Sequence, residues 1–273
     1  MISQPHADRV AVRAAFQPLR SRAAHTLVAL DFDGTLAPIV PRPEDARALP
    51  GTADVLAALA DQVARVAIVT GRPAADAVER AGVGDVPGIV VLGHYGLERW
   101  TGGRLVAPDE GPGVGRVREA ATELALARPG VTLEDKGHSV ALHTRRAADP
   151  AGALAELVPH VTDLAKAEGM QVTPGRYVLE IRPAGVDKGV VLASLVDEVG
   201  ATAVVYGGDD VGDRPALNTL RALEAGGLRA VVVCSDADEA DPEFRAGADL
   251  VVPGPDGVQA ALRDLVDVLR EPR

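Results

Sequence analysis

The sequence predicts an α/β fold, a parallel-sheet core covered by helices on both faces, with an α+β segment inserted into it. Three observations carry this. Short Val/Ile/Leu runs without polar alternation recur along the chain, as in strands buried on both faces. Ala-rich stretches of helical periodicity separate them, and strands joined through helices run parallel. Between residues 108 and 183 the rhythm changes to helix, strand, strand, twice over.

Val10, Val12, Ala15, Phe16 and Leu19 fall near helical spacing and predict a short amphipathic helix. The apolar run His25–Leu30 is the first core strand, followed by helix Thr52–Gln62, strand Arg65–Val69, helix Pro73–Ala81 and strand Gly88–Leu92. These make the first part of the core, residues 1–107. The inserted segment, 108–183, reads as helices Val114–Ala127 and Pro150–Glu168, each followed by two strands. The strands are Val131–Glu134 with Ser139–His143, and Gln171–Thr173 with Tyr177–Ile181. Lys136-Gly137 and Pro174-Gly175 are placed to turn the chain within each pair. Residues 184–273 return to the core. Helices Gly189–Val199, Arg214–Ala225 and Asp256–Leu269 alternate there with strands Ala203–Tyr206, Arg229–Val233 and Asp249–Val252. Ligands of such sheets sit beyond the carboxyl ends of the strands.

Composition narrows the function. The 273 residues carry a net charge of −11, which argues against nucleic acid and anionic membrane as partners, since both need a basic footprint. Cys234 is the single cysteine, so there is no disulfide framework, and any bound metal takes oxygen or nitrogen ligands. No apolar run reaches the ~18 residues of a membrane span, and the arginine-bearing N-terminus has no apolar run of leader length. A cytoplasmic monomer acting on a small molecule is the expectation. Of 28 Lys and Arg residues only three are lysines, Lys136, Lys166 and Lys188, which singles each of them out.

Four motifs carry the chemistry, three at strand ends and one at a helix start. Leu30-Asp31-Phe32-Asp33-Gly34-Thr35-Leu36 follows the first strand. Its two carboxylates at i and i+2 share a face, can bind a hard cation, and can divide the roles of nucleophile and acid/base. Val69-Thr70-Gly71-Arg72 ends the second strand and opens a helix, offering a hydroxyl and backbone N–H groups to an anion. Val186-Asp187-Lys188-Gly189 starts a helix with a compact positive charge. Tyr206-Gly207-Gly208-Asp209-Asp210-Val211-Gly212-Asp213 crowds three acids, which repel unless a cation neutralises them.

In this order the four motifs resemble the haloacid dehalogenase superfamily of aspartyl-phosphate phosphohydrolases, over the whole chain. The resemblance implies a Rossmann-like core with an αββαββ cap, and Mg2+-dependent hydrolysis of a phosphate ester through a covalent intermediate. It makes Asp31 the nucleophile and Asp33 the acid/base. Thr70 would hydrogen-bond the phosphoryl oxygens and Lys188 neutralise them. Mg2+ would lie on Asp31, the main-chain carbonyl of Asp33, and Asp209, with Asp210 and Asp213 acting directly or through water.

Further runs look like the trehalose-6-phosphate phosphatases of that superfamily. They are Gly93-His94-Tyr95-Gly96-Leu97-Glu98, Glu134-Asp135-Lys136-Gly137, Ala141-Leu142-His143-Thr144-Arg145 and Val178-Leu179-Glu180-Ile181-Arg182-Pro183. By that likeness Glu134, Lys136 and Glu180, with Arg182 nearby, bind the distal glucose, and Gly71, Arg72 and His94 complete the substrate-binding set. Carboxylates accepting and cations donating suit the fixed hydroxyls of a disaccharide. Sucrose 6-phosphate or a glucosyl- or mannosyl-3-phosphoglycerate is the alternative substrate; Arg145, Arg146 and Arg182 would suit the extra carboxylate of the latter. A catalytically silent regulatory domain is a third possibility, opposed by the presence of Asp31, Asp33, Lys188 and Asp209 together.

Overall fold

A computed structural model of the chain describes residues 6–109, 111–237 and 240–271. In chain order its elements are α1 (Arg9–Phe16), β1 (Thr26–Leu30), α2 (Thr52–Ala60), β2 (Arg65–Val69), α3 (Ala74–Ala81), β3 (Ile89–Gly93), β4 (Glu98–Thr101) and β5 (Arg104–Val106). They continue as α4 (Pro112–Leu126), β6 (Thr132–Asp135), β7 (Val140–His143), α5 (Pro150–Ala167), β8 (Met170–Gly175) and β9 (Val178–Pro183). Last come α6 (Lys188–Val199), β10 (Ala203–Gly208), α7 (Arg214–Glu224), β11 (Arg229–Asp236), α8 (Pro242–Gly247), β12 (Leu250–Pro253) and α9 (Gly254–Arg270). Among the described residues no helix is long and apolar enough to cross a membrane.

The chain divides into two compact units. One holds the residues up to Ala107 together with those from Asp187, the other Pro108–Val186. The sequence places the end of the insert at Pro183, whereas the second unit runs on to Val186. Arg182 donates from its guanidinium to the Val186 carbonyl, which ties that last stretch to β9.

The first unit is an α/β sandwich. Its sheet has the strand order β12-β11-β10-β1-β2-β3-β4-β5, parallel from β12 to β3. Alternate residues of β1 enter opposite cores: Val28 and Leu30 meet Leu56, Leu59 and Leu265, while Leu27 and Ala29 join the cluster of Leu192, Leu195 and Leu220. Helices therefore cover both faces, α1, α2, α3 and α9 on one and α6, α7 and α8 on the other. The chain winds outward in opposite directions from β1 and β10, and the crevice where the order reverses is where such sheets bind ligands.

Two strands of this sheet are absent from the sequence reading. β4 and β5 form an antiparallel hairpin through Gly102 and Gly103, both at positive φ (55° and 78°), as a two-residue hairpin turn requires. β5 is three residues long and exposed throughout, too short for a periodic signal.

The second unit is a four-stranded antiparallel sheet, β6-β7-β9-β8, packed on α4 and α5. Leu142, Leu179 and Ile181 point to Val117, Leu157 and Val161 of the helices. The first predicted turn lies at Lys136-Gly137, closed by the Lys136 N–H donating to Ser139 O at 3.0 Å. The second differs: Pro174 and Gly175 pair within β8, and the chain turns at Arg176-Tyr177 instead, with Tyr177 at φ 61°.

Candidate active site

In the first unit the acidic motifs converge at the strand ends beside the switch between β1 and β10. Register pairs Leu30 with Gly207, so Asp31 leaves β1 where the Gly208-Asp209 turn leaves β10. The Asp31 N–H donates to Gly207 O at 2.9 Å, fixing the offset. Gly34 stands at φ 76°, and a Cβ there would fall 2.1 Å from Asp209 Oδ2, so only glycine lets the two turns close on each other. Ser235 donates to Gly34 O at 2.6 Å, and Thr35 Oγ1 to Asp209 Oδ1 at 3.2 Å.

Lys188 is the first residue of α6, whose N-cap Asp187 accepts from the N–H groups of Gly189 and Val190. That cap aims the lysine into the acids. Its Nζ lies 2.8 Å from Asp31 Oδ1 and 2.7 Å from Asp213 Oδ1, all three residues being buried. Asp213 is used on both oxygens. Oδ1 also accepts from the Tyr206 hydroxyl at 2.6 Å, and Oδ2 from the N–H groups of Asp209 and Asp210 at 2.9 and 3.1 Å.

Burial drives the Asp31 and Asp209 carboxyls well above the usual carboxylate range. Lys188 pulls Asp31 back, while the neighbouring aspartates push both carboxyls further up. Burial also works against the Lys188 charge, but Asp213 and Asp31 outweigh it and raise the lysine well above its ordinary value. Such crowding suits a divalent cation. Oxygens of Asp31, Asp209 and Asp213 lie within 4.8 Å of one another, a hard donor set of the Mg2+ type. Asp31 and Asp209 are the members with oxygens left to bind it, since both oxygens of Asp213 already accept hydrogen bonds. Of the other two acids in the predicted metal set, Asp210 turns its carboxylate to the Gly212 N–H, 2.8 Å away. Asp33 gives its carboxylate to Arg72, while its expected contact with the metal is through the main-chain carbonyl.

The Thr70-Gly71-Arg72 turn stands at the end of β2. Thr70 is buried, and its Oγ1 accepts from the Arg72 N–H at 3.2 Å. Arg72 forks onto Asp33 through Nε and Nη2, both at 2.7 Å, and also donates to Asp76 Oδ2 and Pro43 O. Its guanidinium rests 5.5 Å from the centre of the Phe32 ring. The structure thus engages Arg72 with the acid of the first motif. His94 is buried, its main-chain N–H donating to Arg72 O at 2.9 Å and its Nε2 3.6 Å from Glu98 Oε1. Tyr95 packs against Gly71, where a Cβ would meet its hydroxyl at 2.8 Å.

A separate polar cluster lies in the second unit. Glu134, Ala141, Glu180 and Thr173 stand side by side across β6, β7, β9 and β8, on the sheet face opposite Leu179 and Ile181. Glu180 Oε1 accepts from Ser139 Oγ at 2.9 Å and faces Lys136 Nζ at 3.3 Å. Glu134 Oε2 is 2.9 Å from His143 Nε2, and Arg182 Nε donates to Thr173 Oγ1 at 2.7 Å. The four residues singled out here in the sequence share this face.

Sequence reasoning missed Tyr206, Thr35, Ser235 and Glu98. Tyr206 had a signal, a single hydroxyl-bearing side chain ending an apolar strand beside the acidic motif. Glu98 accepts from the Ala74 N–H at 2.6 Å, a buried carboxylate at the start of α3. Thr35 lies within the first motif without a role assigned to it there, and Ser235 has no pattern that distinguishes it from an ordinary buried hydroxyl.

Residues 29–246 match the family model described as trehalose-phosphatase. The chain is 34% identical over 230 residues to a trehalose-phosphate phosphatase of Mycobacterium avium, a match covering 78% of this chain and 56% of that protein. It is 37% identical over 218 residues to an uncharacterized glycosyl hydrolase of Mycobacterium tuberculosis, covering 73% of this chain and 16% of that protein. The chain thus spans about half the length of the first relative and a small part of the second. The C-terminal domain of the Candida albicans trehalose-6-phosphate phosphatase aligns with a TM-score of 0.80 at 20% identity, over 98% of this chain and 99% of that one, a likeness of fold.

Proposed function

The chain belongs to the trehalose-phosphatase family, and from that premise we propose that it hydrolyses trehalose 6-phosphate to trehalose and phosphate through an aspartyl-phosphate. The observation that carries the reading is the buried Asp31–Lys188–Asp213 array beside Asp209 at the ends of β1 and β10. Phosphoryl transfer is mostly positioning and charge neutralisation, and this array supplies both.

In this mechanism an Asp31 oxygen attacks phosphorus as the bond from phosphorus to the sugar oxygen breaks. Asp33 gives that oxygen its proton. Asp33 then takes a proton from water, whose oxygen attacks phosphorus and releases Asp31. Lys188 holds Asp31 and offsets the phosphoryl charge, while Thr70 and the N–H groups of its turn hydrogen-bond the phosphoryl oxygens. Mg2+, held by Asp31 and Asp209, would supply further neutralisation of phosphate charge. Glu134, Lys136, Glu180 and Arg182 are the proposed sugar-binding set, because they gather carboxylates and cations on one sheet face.

A panel of sugar phosphates assayed with Mg2+ tests this. Trehalose 6-phosphate is expected to turn over fastest, and chelation to stop the reaction. Equal or faster release from sucrose 6-phosphate or a glucosyl- or mannosyl-3-phosphoglycerate would overturn the substrate assignment.

A further inference from the structure

Strand β10 is apolar from Ala203 to Val205 and then carries Tyr206, which is fully buried. Its ring packs edge-on against Phe244, centroids 6.3 Å apart, which accounts for an aromatic residue here but not for a hydroxyl. A buried hydroxyl needs a partner. This one donates to Asp213 Oδ1 at 2.6 Å, the same oxygen that Lys188 Nζ approaches to 2.7 Å. The other oxygen of Asp213 is pinned by the N–H groups of Asp209 and Asp210. A Cβ on Gly208 would lie 2.5 Å from Asp213 Cγ, so the carboxylate is also confined from the strand side. Burial first, and the nearby Asp213 charge second, push the Tyr206 phenol well above its ordinary range, which keeps it a donor.

We propose that Tyr206 is a positioning residue of the active site, setting the place of Lys188 through Asp213. This deepens the phosphatase reading and rests on it. An oxygen shared by two donors draws each less strongly than it would draw one alone. With the hydroxyl removed, Asp213 Oδ1 is satisfied only by Lys188, and the ammonium shifts toward Asp213 and away from Asp31. The charge is then misplaced at the atom that must attack phosphorus. Tyr206 touches neither Asp31 nor the approaching phosphate in this scheme; its effect passes through two hydrogen-bonded neighbours.

Tyr206→Phe isolates the hydroxyl, since the ring and its packing on Phe244 remain. On trehalose 6-phosphate and on p-nitrophenyl phosphate alike, kcat is expected to fall about tenfold, the effect of losing one charge-assisted hydrogen bond. Inhibition by inorganic phosphate should weaken severalfold, with KM for trehalose 6-phosphate within about threefold of wild type. Phe244→Leu is the packing control and should lower Tm while leaving kcat within about twofold.

Three results would overturn the proposal alone, given a wild type that turns over. They are a Tyr206→Phe kcat within twofold of wild type, an equal kcat loss in Phe244→Leu, and a Tyr206→Phe chain that no longer melts cooperatively. A wild type that releases phosphate from neither ester would overturn the phosphatase reading and this proposal with it.

Discussion

Both carboxylate oxygens of Asp33 are held by Arg72, from Nε and from Nη2, each at 2.7 Å. Arg72 is fixed in turn by Asp76, by the Pro43 carbonyl and by the Phe32 ring. Burial works against its charge, yet Asp33 and Asp76 hold the guanidinium above its ordinary range. As the proposed acid/base, Asp33 has both oxygens engaged, so one arm of the fork would have to open before proton transfer, and Arg72 would govern when Asp33 acts. Arg72→Lys keeps the charge and loses the fork; kcat is expected to fall about tenfold, the scale of one lost charge-assisted hydrogen bond, with KM for trehalose 6-phosphate changed less than threefold. A raised KM at unchanged kcat would return Arg72 to a substrate-binding role.

Asp31→Asn removes the proposed nucleophile and should abolish turnover with the fold intact; activity within tenfold of wild type would refute the covalent route. The same change should stabilise the cation-free protein. Burial makes the ionised Asp31 unfavourable, and relieving even ~1 kcal/mol raises Tm by about 2–4 °C in a chain of this size. A lower Tm in chelated Asp31→Asn would mean that the Lys188 ion pair outweighs burial.

Asp31 and Asp209 also give stability a pH dependence that the cation should suppress. Their carboxyls are raised in the folded chain, so the folded state binds protons more tightly than the unfolded one. Their own contribution to the stability of the chelated protein therefore grows as pH falls through those raised values, against the loss from carboxyls such as Asp76 and Asp241 that arginine partners hold low. The gain is complete below the ordinary aspartate value of about 3.9. A bound divalent cation favours the ionised carboxylates and removes that gain. Melting curves across pH, with chelator and with Mg2+, should diverge most on the alkaline side, where the cation stabilises most. Curves that stay parallel would exclude these acids as its ligands.

Much of this was legible before any coordinates, because the residues concerned are local. Asp31, Thr70 and Asp209 each follow an apolar run and Lys188 opens a helix, and β/α alternation delivers strand ends to one side of a sheet. Partnerships across the fold were not legible. The fork of Arg72 onto Asp33 spans 39 residues and the Ser235 bond to Gly34 spans 201, and spacing carries no sign of either. The β4–β5 hairpin was marked by Gly102-Gly103 but is too short for periodicity, while Pro174-Gly175 looked like a turn and instead pairs inside β8.

Gly34 offers a test of the cation site that substitutes none of the proposed ligands. Gly34→Ala introduces a Cβ 2.1 Å from Asp209 Oδ2 at a backbone with φ 76°. The carboxylate must give way, since the strand ends are fixed by the Asp31 N–H bond to Gly207 O. The expected result is a Mg2+ requirement shifted up at least tenfold, with activity partly restored at high Mg2+. A variant with unchanged Mg2+ dependence would show that Asp209 is not a ligand.

The polar face of the second unit yields the last prediction. Glu180 is buried, yet it lies on the face opposite the apolar core of its sheet, with Ser139 and Lys136 both directed at Oε1. Those side chains lie outside the apolar cluster that packs the sheet on α4 and α5. If they read sugar hydroxyls, their loss should register only with a substrate that carries a sugar. Lys136→Ala and Glu180→Gln should each raise KM for trehalose 6-phosphate about tenfold or more, because buried polar recognition leaves unpaired groups when one partner goes. Both should leave kcat/KM for p-nitrophenyl phosphate within twofold. Equal losses on the two esters would assign the pair to the stability of the sheet, and unchanged kinetics on both would remove the second unit's polar face from substrate recognition.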